Sequence, residues 1–121
     1  MTRSRLVAAN WKMHTTPESA RLLASEIARY KTNFPPVEVA LFPPFISLSA
    51  VREMVKGTEV RLGAQNMHFE AEGAFTGEVS GPMLLASGCS MVIIGHSERR
   101  QYFGETDQMV NRKLKRPWKS G

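Results

Sequence analysis

The sequence predicts an α/β fold in which a parallel sheet is covered by helices. Two observations point there. Four short runs rich in Val, Leu, Ile and Ala, at residues 5–10, 37–42, 59–64 and 90–95, have the length and composition of strands. Between and after them lie segments whose apolar residues recur at three- and four-residue steps, each opened by a capping residue or a proline. Strand and helix therefore alternate four times within 121 residues, a length that suits one small domain.

The elements follow in order. "RLVAAN" (5–10) is a strand ending in Asn10, and "WKMHTT" is the loop after it. Thr16 is an N-cap and Pro17 the first helical residue of a helix whose Ala20, Leu23, Ile27 and Tyr30 define the face expected to bury. Prolines 35 and 36 stop it; "VEVALF" (37–42) alternates as a strand. A second helix runs from about Pro44 with Leu48, Val51 and Val55 inward, and Gly57 ends it. "EVRLGA" (59–64) gives way to "QNMHFEAEGAFTGEVS", too long for an ordinary βα connection. Ser80 and Pro82 open a short helix that Gly88 closes, "SMVIIG" (90–95) is the fourth strand, and Thr106 caps a last helix. Such a pattern belongs either to an open doubly wound sheet or to part of a (β/α)8 barrel.

Composition narrows the function classes. Hydrophobic residues make up 42% of the chain, yet no run is long enough to span a bilayer and no apolar leader precedes the first strand, so a cytoplasmic protein without membrane contact is expected. The single cysteine, Cys89, lies at the edge of an apolar run and reads as a small buried thiol. A net charge of +5 raises nucleic acid as a partner, but Lys113, Lys115, Arg116 and Lys119 crowd into the last nine positions and read as a solvated end. No nucleic-acid partner is expected.

In either architecture chemistry belongs at the carboxyl ends of the strands. That rule selects Asn10 and Lys12 after the first strand, Gln65 and Asn66 after the third, and His96, Ser97 and Glu98 after the fourth. A fixed ammonium near a directed N–H donor suits a reaction in which anionic charge is bound at one end of a substrate and develops at the other.

"AANWKM", "GAQNMHFEAEGAFTGEVS" and "VIIGHSERRQYFGETD", in this order and spacing, closely resemble the triosephosphate isomerase family over its first four strands. The resemblance implies the first four βα units of a (β/α)8 barrel, a half-barrel, with residues 1–115 as its N-terminal half and residues 116–121, ending "RPWKSG", as a truncated tail outside the family. It implies interconversion of glyceraldehyde 3-phosphate and dihydroxyacetone phosphate, a step of glycolysis and gluconeogenesis, with no metal or organic cofactor. Residue by residue, Lys12 matches the lysine that neutralises the substrate phosphate, Asn10 the asparagine beside it, and His96 the electrophile that polarises the carbonyl. Ser97 and Glu98 match supports of the site, and Arg99 and Glu105 match an ion pair anchoring the loop after the fourth strand, worth about 0.5 kcal/mol if exposed and more only if buried.

The resemblance further implies a homodimer. The long third loop would reach into a partner, with Thr76 at its tip and Phe75 beside it, and Met13, His14 and Gln65 would lie where the partner's loop docks. His14 departs from the family's more usual asparagine there. Phe69 and Phe75 argue against a freely solvated loop. The family's catalytic base and phosphate-gripping loops belong to later strands, and a whole barrel takes about 250 residues. The chain alone is therefore expected to be inactive, with exposed first and fourth strand edges. The alternative is a non-catalytic fragment acting as a binding or assembly module. A doubly wound phosphate-binding domain is set aside, because "NWKMHTT" contains no glycine.

Overall fold

A computed structural model describes residues 3–31, 33 and 36–115; the expected tail at 116–121, with Arg116 and Lys119, lies outside the described residues. Strands β1 (Leu6–Asn10), β2 (Glu38–Phe42), β3 (Arg61–Ala64) and β4 (Met91–Val92) form one sheet in the order β1-β2-β3-β4, every pair parallel. Helices α1 (Pro17–Lys31) and α2 (Leu48–Val55, entered through a 3-10 turn at Phe45–Ser47) form the first two crossovers, and α3 (Gly81–Ala86) leads into β4. Helices α4 (Ser97–Phe103) and α5 (Asp107–Lys115) follow. The alternating pattern allowed a doubly wound sheet or part of a barrel, and this is the α/β half-barrel that the family resemblance implied.

Helix starts obey local chemistry. Thr16 accepts from the Ser19 N–H at 3.3 Å while Ser19 Oγ accepts from the Thr16 N–H at 2.9 Å, a reciprocal cap on α1. Ser80 Oγ accepts from the Met83 N–H on α3, and Thr106 Oγ1 from the Met109 N–H on α5.

The core lies between the sheet and α1, α2 and α3: Leu41, Leu62 and Ala64 from the strands meet Ala20, Ala24, Leu48, Val51 and Leu84 from the helices. Because strand side chains alternate, Leu62 and Ala64 point to the helices while Gly63 points to the other face. There the Phe42 ring occupies the space a side chain would need; a Cβ on Gly63 would lie 2.2 Å from it.

Three expectations need correction. On α1 the buried stripe is Ala20, Ala24, Ala28 and Lys31, whereas Leu23 and Tyr30 are exposed. The alanines recur every four residues, which keeps them on one line, and their small size lets α1 approach α2 closely. The fourth strand pairs over two residues, not six, because its partner β3 ends at Ala64, opposite Val92; the Ile93 N–H still donates to the Ala64 carbonyl at 2.8 Å. Lys113 is not part of a solvated end: it is 2% exposed, with its ammonium among acceptors described below. The β1 edge carries Leu6 and Val7 exposed, as expected for a strand with one neighbour.

Residues 65–80 form an ordered excursion. His68 donates its backbone N–H to the Val79 carbonyl at 2.8 Å and forms a bridge with Ser80, drawing the ends of the segment together. The His68 ring lies 4.3 Å from both the Phe69 and Phe75 rings, with Nδ1 3.1 Å from Glu78 Oε1. The aromatic residues thus pack within the loop, although Phe75 keeps an exposed face.

Candidate active site

At the carboxyl ends of the strands a cleft of about 250 Å³ opens between the loops after β1, β3 and β4. Asn10, Lys12, Gln65, Asn66, His96 and Glu98 all line it. Residues 86 positions apart in sequence share this cleft because parallel connections bring every strand's carboxyl end to one side.

Lys12 adopts φ +57°, a left-handed conformation that costs a non-glycine residue about 1–2 kcal/mol. Its surroundings hold it there. The Lys12 N–H donates to Asn10 Oδ1 at 2.9 Å, and Gln65 Nε2 donates at 2.8 Å to both the Lys12 and Phe42 carbonyls. Gln65 thereby fastens the β1 loop to the ends of β2 and β3. Neither this clamp nor the strain has a sequence signature, since both depend on a contact 53 residues away in the chain.

The other wall of the cleft starts at Gly95, whose φ of +70° turns the backbone sharply after β4. His96 then caps α4 with its own ring: the Glu98 N–H donates to His96 Nδ1 at 3.0 Å. A backbone N–H can only donate, so Nδ1 is the acceptor and the proton of an uncharged ring sits on Nε2. The Glu98 side chain turns back to the lysine, with Oε1 2.8 Å from Lys12 Nζ. That hydrogen bond, aided by the charge of Lys12 and opposed by desolvation, lowers the Glu98 carboxyl from its ordinary range. Ser97 is exposed at the first position of α4 and does not line the cleft.

Beneath the cleft lies a buried charge cluster. Glu105 has a fully buried side chain; its Oε1 accepts from the Gly95 N–H at 3.1 Å and its Oε2 from Arg99 Nε at 2.8 Å and Lys113 Nζ at 2.9 Å. Burial alone would raise the Glu105 carboxyl, but the Lys113 and Arg99 bonds outweigh it and hold it below the ordinary range. Lys113 also donates to Asn66 Oδ1 at 2.8 Å, tying α5 to the loop after β3. The Arg99–Glu105 pair is thus the buried alternative, not the exposed one. Lys113 was invisible as a partner because nothing in α5's own periodicity marks one lysine as inward-facing.

Only some of the residues assigned to a dimer surface line the cleft. Met13 and Gln65 line the cleft, with Met13 93% exposed, whereas His14 and Thr76 are exposed outside it. Among the described residues no group of three or more His, Cys, Asp or Glu side chains is arranged to hold a metal ion, and no helix is long and apolar enough to cross a membrane.

Comparison with known proteins agrees with this geometry. The family described as triosephosphate isomerase matches residues 5–121. Among curated relatives, the triosephosphate isomerase of Carboxydothermus hydrogenoformans is 51% identical over 113 residues, covering 93% of this chain and 45% of the relative. That of Clostridium tetani is 54% identical over 114 residues, covering 93% of this chain and 44% of the relative. That of Acetivibrio thermocellus is 50% identical, covering 100% of this chain and 48% of the relative. The chain spans about half the length of the curated relatives it matches. A parallel half-barrel with Asn10, Lys12, His96 and Glu98 converging at its carboxyl face, together with a match over nearly the whole sequence, places the chain in the triosephosphate isomerase family.

Proposed function

We propose that the chain supplies the carbonyl-polarising and phosphate-facing half of a site that interconverts glyceraldehyde 3-phosphate and dihydroxyacetone phosphate. The observation that carries this reading is the single cleft that Lys12 and His96 share at the carboxyl face. In it the Lys12 ammonium neutralises the substrate's anionic group, and Asn10 fixes the lysine backbone by accepting its N–H. His96, with Nδ1 engaged by the Glu98 N–H, presents Nε2–H to the substrate carbonyl and stabilises the enediolate oxyanion once a carbon-bound proton is removed. Substrate binding draws Lys12 from Glu98, so an anion replaces a carboxylate at one ammonium.

Removing that proton requires a base. Glu98 is the one carboxylate lining the cleft among the described residues, and the Lys12 hydrogen bond that lowers its pKa also makes it a poor proton acceptor. The 121-residue chain alone is therefore inactive in this reading and needs a base from outside these elements. Exposed Met13, Phe75 and Thr76 support a second part of the proposal, a two-fold dimer in which loop 65–80 of one copy meets the Met13–His14 loop and Gln65 of the other. A single, buried cysteine suits a reducing, cytoplasmic setting.

The test is isomerase turnover of the purified chain, with His96→Gln as control and size-exclusion chromatography on the same sample. Background turnover is expected. Turnover well above background that vanishes in His96→Gln would overturn the inactivity and hand the base role to Glu98.

A further inference from the structure

At the opposite end of the sheet from His96, where β3 and β4 begin, a second cleft of about 260 Å³ is as roomy as the first. Its charged lining consists of Arg52, Lys56 and Arg61, with no carboxylate among the lining residues. We propose that this cleft is a second anion site that takes a phosphate-bearing small molecule, independent of the His96 cleft.

The cations are set in place to different degrees. Arg52 Nη1 donates to the Ala86 carbonyl at 3.0 Å, and its stem lies against Gly88, where a Cβ would come within 2.9 Å of the Arg52 Cδ and Nε. Gly88, at φ +93°, thus leaves room for this one arginine pose, and most of the guanidinium's five donors remain unspent. Arg61 uses Nη1 on Glu38 at 3.2 Å. The Lys56 ammonium has no hydrogen bond or ion pair among the described residues, and its position near the end of α2 brings it to the same cleft.

Neighbouring carboxylates are engaged elsewhere. Glu53 pairs with Arg21 at 3.3 Å and Glu59 with Lys31 at 3.3 Å, so among the described residues only Glu38 forms an ion pair with one of the three cations. Val55, Val60 and Leu62, all buried, form the apolar wall. Cations beside a low-dielectric wall focus a positive potential on the space between them. A phosphate group accepts bidentate bonds from an arginine fork and a point contact from a lysine, which is the donor set found here. Ser90, at the mouth of β4, adds a hydroxyl to the lining. Because this end of a parallel α/β sheet is not where the reaction is placed, occupancy would affect stability without competing with substrate.

The test is an amide NMR titration of the full 121-residue chain, at constant ionic strength, with inorganic phosphate and separately with glycerol 2-phosphate. Saturable shifts are expected at the Gly88, Ser90 and Arg61 amides. Lys56→Gln should weaken Kd about tenfold, the size expected for one charged hydrogen bond. Arg52→Lys should weaken it too, as the fork is lost while the charge stays, and His96→Gln should leave it unchanged. Equal Kd for the two probes means the phosphate group alone is read; tighter binding of the ester brings in the apolar wall. Shifts confined to the Asn10, Gly95 and Glu98 amides, linear shifts without saturation, or a Lys56→Gln protein that binds as the parent does would each overturn the proposal.

Discussion

Replacing Lys113 by methionine tests how the floor of the cleft is held. The methionine keeps most of the volume and removes only the ammonium, which bonds Glu105 Oε2 at 2.9 Å and Asn66 Oδ1 at 2.8 Å in a buried position. Breaking a buried pair by deleting one partner costs about 3–5 kcal/mol. Here Glu105 retains Arg99 Nε and the Gly95 N–H, which favours the lower end, about 3 kcal/mol. Asn66 is 8% exposed and loses the donor to its Oδ1, adding about 1 kcal/mol. The expected loss is therefore ~4 kcal/mol, a large share of the 5–15 kcal/mol typical of a domain. Urea unfolding followed by far-ultraviolet circular dichroism at pH 7 reads it directly. The control is Arg21→Ala, which breaks a pair whose side chains are 44% and 61% exposed and should cost below about 1 kcal/mol. A Lys113→Met protein within 1 kcal/mol of the parent would refute the buried cluster as a source of stability.

The same variant has a pH signature whose sign follows from linkage. The folded Glu105 carboxyl lies below its unfolded value, so its stabilisation is complete above the unfolded pKa and is lost as pH falls through the folded one. Without Lys113 the folded value rises, and acid unfolding of Lys113→Met should begin at higher pH than in the parent.

Further predictions concern single positions. Gly63→Ala places a methyl 2.2 Å from the Phe42 ring, so overpacking should cost about 1–3 kcal/mol in the same urea assay; an unchanged midpoint would contradict the packing. Lys12→Met removes the hydrogen bond that lowers the Glu98 carboxyl, and carbon-detected NMR titration should show that carboxyl titrating at higher pH than in the parent. Burial pushes the Cys89 thiol up to about 11, only partly countered by Arg52, so a disulfide reagent at pH 8 should react slowly until denaturant is added. Fast labelling of the native chain would show the thiol to be exposed.

Much of the architecture was legible from local signals. Apolar runs of strand length, caps at Thr16, Ser80 and Thr106, and the oversized 65–80 segment each depend on a few neighbouring residues, and local sequence specifies such features. The carboxyl-end rule likewise drew Asn10, Lys12, Gln65, Asn66, His96, Ser97 and Glu98 out of the sequence, and all of these but the exposed Ser97 line one cleft. Periodicity failed on α1, where either an alanine stripe or a Leu23–Tyr30 stripe satisfies the helical repeat and only packing against α2 chooses between them. It failed again on α5, where Lys113 looks like its neighbours Arg112 and Lys115 until Glu105 and Asn66 are placed against it.

The sequence by itself determined the alternation of strand and helix, the family, and which residue types arrive at the carboxyl face, because these are written in short-range pattern and motif. Only the tertiary structure decided that Gln65 clamps a left-handed Lys12, that the Glu98 carboxylate turns to Lys12, and that Glu105 joins Gly95, Arg99 and Lys113 in the interior. The physical reason is common to all three. Each is a balance between the cost of strain or desolvation and bonds to groups distant in sequence or on another element, and that balance exists only once the elements have packed.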